Sequence, residues 1–370
     1  MKMDAAVLWN WNDDWSVEEV ELDGPKEGEV LVRYVASGLC HSDEHARTGS
    51  MPTATPMVGG HEGAGIVEEV GPGVHDLKPG DHVVCAFIPV CGKCHWCATG
   101  QSNLCDNGAL MLQGTMLDGS FRRRARGQDV AALGLLGTFA EYGTVPQQSL
   151  VKVDKDIPLN RACLVGCGVT TGWGSAVNSA KVQPGDTVIV IGCGGIGSGA
   201  LQGARIAGAA NIIAVDLVPE KEHAVKVLGA THFCTTFEEA TALAAELTRG
   251  VMADSAILTV GAVSGDMIAP TLGMVRKGGI GVVTGSAPFT STSADISLAE
   301  LMLYQKSLVG SLYGARNPRA DIVSLLNLYR NGQLLLDDIV TAEYQLSQIG
   351  QGYDDMMAGK NLRGVINFDN

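Results

Sequence analysis

A chain of 370 residues, 46% hydrophobic and 18% charged, is long enough for about two domains with separate cores and has an ordinary globular composition. Its net charge of −14 argues against a general nucleic-acid or anionic-membrane surface, which needs a basic excess. No apolar run reaches membrane-spanning length, and the opening ten residues lack a secretory core and cleavage pattern, so a cytoplasmic protein is expected.

From about 5 to 90, short β-like runs are broken by Gly, Pro and Asp. Glu29–Val35 alternates as a strand, Gly65–Val70 leads into a Gly-Pro-Gly turn, and Asp81–Ala86 follows another turn at Lys78–Gly80. Such spacing predicts a partly open barrel or a sandwich. Inside this region Gly38–His45 reads Gly-Leu-Cys-His-Ser-Asp-Glu-His, with a thiol, a hydroxyl, a carboxylate and two imidazoles available for chemistry.

Residues 91–145 are loop-rich and hold Cys91, Cys94, Cys97 and Cys105. Ten cysteines without a secretory context point to metal or catalysis before disulfides. Two successive Cys-x-x-Cys spacings and a fourth cysteine nearby supply the four thiolates of a closed structural zinc site, in a lobe with too little apolar content to order itself. Cys85, Cys163, Cys193 and Cys234 sit among apolar or glycine-rich neighbours and read as packing residues. The run Phe121–Arg126 holds four arginines and reads as a solvated loop or subunit contact.

Near 160 the character changes. Leu164–Ala180 predicts one helix of small residues. Thr187–Ile191 is a β-branched run of the kind buried in parallel sheets, and it feeds Gly192, Gly194, Gly195, Ile196 and Gly197, which open the next helix. That context makes the glycine pattern a dinucleotide fingerprint, with pyrophosphate at the helix N-terminus. Asp216 ends the following strand, where a carboxylate accepts the adenosine ribose hydroxyls and repels a 2′-phosphate, favouring NAD over NADP; Lys221 is a second candidate ribose contact. Strand-like runs continue at Ser255–Val260 and Gly281–Thr284, then an amphipathic helix near Ile322–Tyr329 and a last strand near Gly364–Phe368. The expected organisation is a parallel α/β domain at 169–311, inserted between the parts of a β domain at 1–168 and 312–370.

Cys40, His61 and Cys167 stand apart in glycine-flanked settings. Their separations match no compact ligand motif, and isolated buried cysteines or histidines are more often structural. Together with the cysteine lobe, the fingerprint and the closing Lys360-Asn-Leu-Arg-Gly-Val-Ile366, however, the chain resembles the zinc-dependent medium-chain alcohol dehydrogenases nearly end to end. The resemblance implies a GroES-like β-barrel catalytic domain plus a Rossmann doubly wound coenzyme domain. It implies two zincs per chain, with Cys40, His61 and Cys167 on the catalytic one, a ligand set for which alcohol dehydrogenase is itself the general example.

Several roles follow from the same likeness. Ser42 and His45 form a proton relay, Asp43 holds His61, and Glu62 lies behind the metal. Thr171 and Ile196 flank the nicotinamide, and Arg363 approaches the pyrophosphate. His41 stands where the best-known animal enzymes carry a pyrophosphate-gripping arginine. Phe87, Met51, Leu110 and Leu136 match pocket-lining positions and fit a core role equally well. The implied activity is reversible oxidation of primary or aromatic alcohols to aldehydes with NAD(H), in a homo-oligomer.

The wording around 98–147 and the tail is most similar to the actinobacterial nicotinoprotein subgroup, which keeps NAD(H) bound and passes electrons to an external nitroso-dimethylaniline acceptor. Two alternatives stand beside this: a thiol-dependent formaldehyde dehydrogenase, for which Phe121–Arg126 is the local basic candidate, and a non-enzymatic zinc-binding scaffold.

Overall fold

The computed structural model describes residues 1–368. The chain divides into two compact units, one of Met1–Cys167, Asn317–Gly332 and the chain from Val340, the other of Gly168–Arg316 and Gln333–Ile339. Gln333–Ile339 is tied to the second unit by side chains of the helix Gly195–Ile206: Gln202 exchanges two hydrogen bonds with the Leu335 backbone, and Arg205 donates to the Gln333 carbonyl.

The first unit contains a closed barrel of Lys2–Leu8, Ser16–Leu22, Arg123–Ala125, Gln128–Ala132 and Met57–Val58. Closure leaves this barrel no free sheet edge, and the strands expected around 29–35, 65–70 and 81–86 belong to the sheet described next. Met3, Ala5, Val7, Val20, Leu22 and Val130 fill its interior. A second sheet runs in the order Leu150–Val153, His82–Cys85, Gly63–Val70, Glu29–Gly38, Arg363–Asn367, Val340–Tyr344, with Tyr142–Pro146 also pairing to Glu29–Gly38. Glu29–Gly38 therefore has three partners and is the rigid support for the stretch that follows it.

The arginine run divides: Arg122 and Arg123 are buried, whereas Arg124 and Arg126 are solvated, as the sequence suggests. Arg123–Ala125 is a barrel strand. Arg122 is buried in an ion pair with Glu29 and Asp118, and Arg123 is buried with its Nη2 donating to the Leu136 and Gly137 carbonyls. Arg124 meets Asp129 and Asp23, and Arg126 meets Glu18 while lying 4.2 Å from the Trp9 ring centroid. A glutamate from another strand neutralises Arg122, a charge that looks solvent-bound in the sequence, while Arg123 is held by backbone carbonyls, which carry no countercharge.

The second unit is a six-stranded, all-parallel sheet in the order His232–Cys234, Asn211–Val215, Thr187–Ile191, Ala253–Leu258, Val275–Val283, Ser307–Gly310. Read as third, second, first, fourth, fifth, sixth, this is the dinucleotide-binding order, and its direction reverses at Thr187–Ile191. All five residues of that strand are buried, as expected for a strand covered on both faces. Each such valine or isoleucine contributes roughly 1.5–3 kcal/mol by leaving water.

The single helix expected over 164–180 is broken. A 3₁₀ turn at Cys163–Gly166 ends at Cys167 (φ −148°, ψ −79°), and the α-helix Gly168–Gly174 begins only afterwards. Gly166 explains the tight turn, because a Cβ there would strike the Cys85 carbonyl. The break takes Cys167 out of a helix ladder, at the last residue of the first unit's opening segment.

Candidate active site

Three separate elements converge in the first unit. Cys40 lies in extended conformation between Glu29–Gly38 and the short helix His41–Arg47. His61 lies in the turn after Met57–Val58, and Cys167 lies at the break just described. One ligand atom from each, with one from Glu62, falls within a common 4.8 Å, and all four residues are buried. Two thiols and an imidazole form the donor set expected for a catalytic zinc, with a carboxylate oxygen beside them.

The support for this cluster is equally buried. Asp43 Oδ1 lies 3.0 Å from His61 Nδ1 and accepts the Gly60 N–H at 3.0 Å. Holding Nδ1 leaves Nε2 as the free ligand nitrogen. Glu62 is ion-paired with Arg363, both fully enclosed. Gly38 allows this pair to form, since a Cβ at that position would run into the Glu62 carboxylate and Arg363. Burial pushes the Glu62 carboxyl up to about 8, with the Arg363 guanidinium pulling the other way. Burial would depress Arg363, but Glu62 and the cysteine sulfurs outweigh it, so the guanidinium stays charged. Cys167 beside it holds the Cys40 thiol well below its ordinary range, and the same contact pushes Cys167 up.

The helix His41–Arg47 carries Ser42, Asp43 and His45. Ser42 Oγ is 3.7 Å from Cys40 Sγ, and His45 is buried with its ring 6.4 Å from that of His41. Burial lowers the His41 imidazole below its ordinary value. Phe87 stands edge-on to His61 at 5.7 Å. Leu136 is fully buried, whereas Met51 and Leu110 are half-buried.

The cysteine lobe is the second cluster. Cys91, Cys94, Cys97 and Cys105 bring their sulfurs within 4.8 Å of one another, and none forms a disulfide. Cys91 and Cys97 sulfurs are 4.0 Å apart, and those of Cys94 and Cys105 3.9 Å. A zinc–sulfur tetrahedron with 2.3 Å arms has edges of about 3.8 Å, so the thiols stand where one zinc would hold them. Backbone N–H groups of Cys97 and Asp106 bring the Cys94 thiol down to about 6, while burial pushes Cys105 up to about 12.

In the second unit the fingerprint forms as a turn between Thr187–Ile191 and Gly195–Ile206. Gly192 has φ +89°, and a Cβ there would strike Val260; a Cβ on Gly197 would strike the Gly192 carbonyl. The space beside Gly194 is open, which is what backbone approach to a pyrophosphate requires. Asp216 Oδ2 accepts the Cys193 N–H at 2.8 Å, its Oδ1 accepts from Val218, and Lys221 Nζ lies 3.0 Å away. Asp216 and Lys221 thus form one charged pair beside the glycine turn. Thr171 and Ile196 lie on adjoining helices, because Gly172 packs directly on the Ile196 carbonyl. Arg363, expected near a pyrophosphate, has Glu62 as its ion-pair partner.

Sequence reasoning reached the loop that abuts His61 only through Leu136 and missed Gly134. Gly134 lies 3.4–3.9 Å from Phe87, His61 and Met111 side chains by its Cβ direction, and its φ of +63° makes glycine the fitting residue. A Gly-Leu-Leu-Gly run at 134–137 is the one local hint of such a turn.

Residues 26–155 match the model of the alcohol dehydrogenase GroES-like domain, and residues 195–329 that of the zinc-binding dehydrogenases. The NDMA-dependent alcohol dehydrogenase of Amycolatopsis methanolica is 52% identical over 366 residues, covering 99% of each chain. Alcohol dehydrogenase B of Mycobacterium tuberculosis is 50% identical over 370 residues, covering 100% of this chain and 99% of its own. Among solved structures, benzyl alcohol dehydrogenase from Acinetobacter calcoaceticus superposes with a TM-score of 0.92 at 32% identity, each chain covered completely. No helix among the described residues is long and apolar enough to cross a membrane.

Proposed function

This chain belongs to the zinc-dependent alcohol dehydrogenase family, oxidoreductases acting on CH–OH groups, and from that premise we propose that it oxidises primary or aromatic alcohols to aldehydes, reversibly, with NAD. The observation that carries the proposal is the buried convergence of Cys40, His61 and Cys167 with Asp43 fixed on His61 Nδ1. Zinc bound there supplies Lewis acidity to the substrate oxygen, and NAD supplies the hydride acceptor.

The chain's own residues handle the rest. Cys40, His61 and Cys167 present the ligands, and Asp43 fixes the His61 tautomer. Ser42 accepts the alcohol proton, and His45, three residues on along the same helix face, passes it to solvent. Glu62, held by Arg363, keeps a carboxyl group behind the ligands. His41 and Arg363 are assigned to the coenzyme phosphates, Thr171 and Ile196 to the nicotinamide, and Asp216 with Lys221 to the adenosine ribose. A negative charge at Asp216 disfavours a 2′-phosphate. Phe87, edge-on to His61, favours an apolar substrate.

Within the family we place the chain with the nicotinoproteins, which retain NAD(H) and use an external acceptor; its likeness to the NDMA-dependent enzyme supports this. The thiol-dependent alternative is less favoured, because the arginines of 122–126 already have partners within the chain. Metal and nucleotide content of the protein as isolated tests the proposal. Two zincs per chain, bound NADH, and alcohol-dependent reduction of nitroso-dimethylaniline without added NAD are expected. One zinc would point to a scaffold, and two zincs without nucleotide would remove the nicotinoprotein assignment.

A further inference from the structure

Asp43 uses one oxygen twice and the other not at all. Oδ1 serves the Gly60 N–H and His61 Nδ1, whereas Oδ2 is buried with no hydrogen-bond partner among the described residues. A carboxylate is acceptor-only, so Oδ2 calls for a donor.

The helix Ile349–Met357 carries a candidate. Tyr353 is buried, and its hydroxyl is a second polar atom without a hydrogen-bond partner among the described residues. Its ring is stacked on Trp15 with centroids 6.2 Å apart and stands edge-on to Phe139 at 6.3 Å. The same two rings press on the backbone leading into His61: a Cβ on Gly59 would strike Trp15, and one on Gly60 would strike Phe139. Tyr353 is thereby fixed beside the peptide that Asp43 grips. A tyrosine phenol, with an ordinary pKa of about 10, keeps its proton at neutral pH, so the hydroxyl is available as a donor.

We propose that the Tyr353 hydroxyl donates to Asp43 Oδ2 and so positions the carboxylate that aims His61 Nε2 at the catalytic metal. Tyr353 is a positioning residue, the outer member of a chain Tyr353–Asp43–His61. The inference rests on the assignment of Cys40, His61 and Cys167 as the catalytic zinc ligands. Trp15 Nε1, also buried with no hydrogen-bond partner among the described residues, is the competing donor.

Metal release distinguishes these possibilities. Zinc-loaded wild type, Tyr353→Phe and a protein with 3-fluorotyrosine at 353 are challenged with a chromophoric chelator, and the two release phases are resolved. The phase missing in Cys40→Ser belongs to the catalytic site. Tyr353→Phe should release that zinc about 10-fold faster or more, while the lobe zinc leaves at its wild-type rate. The unchanged lobe phase also reports an intact first unit. The fluorinated ring, a stronger donor of nearly the same size, should slow catalytic-zinc release below wild type and remains informative if Tyr353→Phe fails to fold. Equal rates in all three proteins overturn the proposal and favour Trp15. Faster release with the fluorinated ring overturns it too, since that reports packing alone. Wild type holding one zinc overturns the zinc assignment itself, a result distinct from two zincs with unaltered release.

Discussion

One cluster takes four sulfurs from the single short stretch Cys91–Cys105, whereas the other joins residues as distant as Cys40 and Cys167. The lobe is shallow: its helix His95–Ala98 buries no residue, and Trp96 is exposed. The distant cluster lies wholly inside, backed by Asp43, Glu62 and Arg363, each itself buried. A cluster made by local spacing depends on its metal for order, since few other contacts hold it. A cluster made by the fold arrives already assembled, and its surroundings set ligand orientation and charge before any metal binds.

Breaking the assembled cluster should cost the most activity. Cys40→Ser should lower kcat/KM by more than the roughly 100-fold that a supporting residue commands, with one zinc left on metal analysis and an unchanged melting curve for the second unit. Retention of both zincs in this variant would remove Cys40 from the ligand set. A smaller loss should follow at the relay: His45→Gln should slow alcohol oxidation by up to about 100-fold, most at low pH, with both zincs retained. Zinc loss in that variant would make His45 structural.

The lobe should fail differently. Cys105→Ser should remove one zinc and leave activity per folded chain intact, while proteases gain access between 91 and 116. The stability lost should appear as a melting shift of roughly 2–4 °C per kcal/mol. Activity falling in step with lobe zinc would erase the distinction between the two clusters.

The smallest effect is expected away from both. Burial works against ionisation of Asp118, but the Ser120 groups and the Arg122 guanidinium hold its carboxyl well below the usual carboxylate range. With the folded pKa below the unfolded value of about 3.9, this stabilisation is complete above that pH and fades as pH falls through the folded value. Asp118 is 46% exposed, so Asp118→Asn should cost less than about 1 kcal/mol at pH 7, and its urea midpoint should converge with wild type in acid.

Local spacing made much of this protein legible. The lobe cysteines lie close in the chain, so loop closure alone brings their sulfurs within ligand range of one another. Thr187–Ile191 followed by the glycine turn could be identified because a buried strand, a positive-φ turn and a helix start each leave a short-range signature. Resemblance joined Cys40, His61 and Cys167; their spacing did not.

What the tertiary structure decided depends on partners from elsewhere in the chain. The break that frees Cys167 comes from Gly166 meeting a carbonyl of another strand, while the small residues around it favour one continuous helix. Arg122 and Arg123 look like solvated charges until Glu29 and the Leu136 and Gly137 carbonyls receive them. Asp43 stands out in the sequence by resemblance, but Tyr353 does not, because an unused carboxylate oxygen and an unused hydroxyl are defined only by what the folded core leaves without a partner. Periodicity and turn chemistry act over a few residues and can be read along the chain, whereas burial and pairing are properties of the space into which the chain folds.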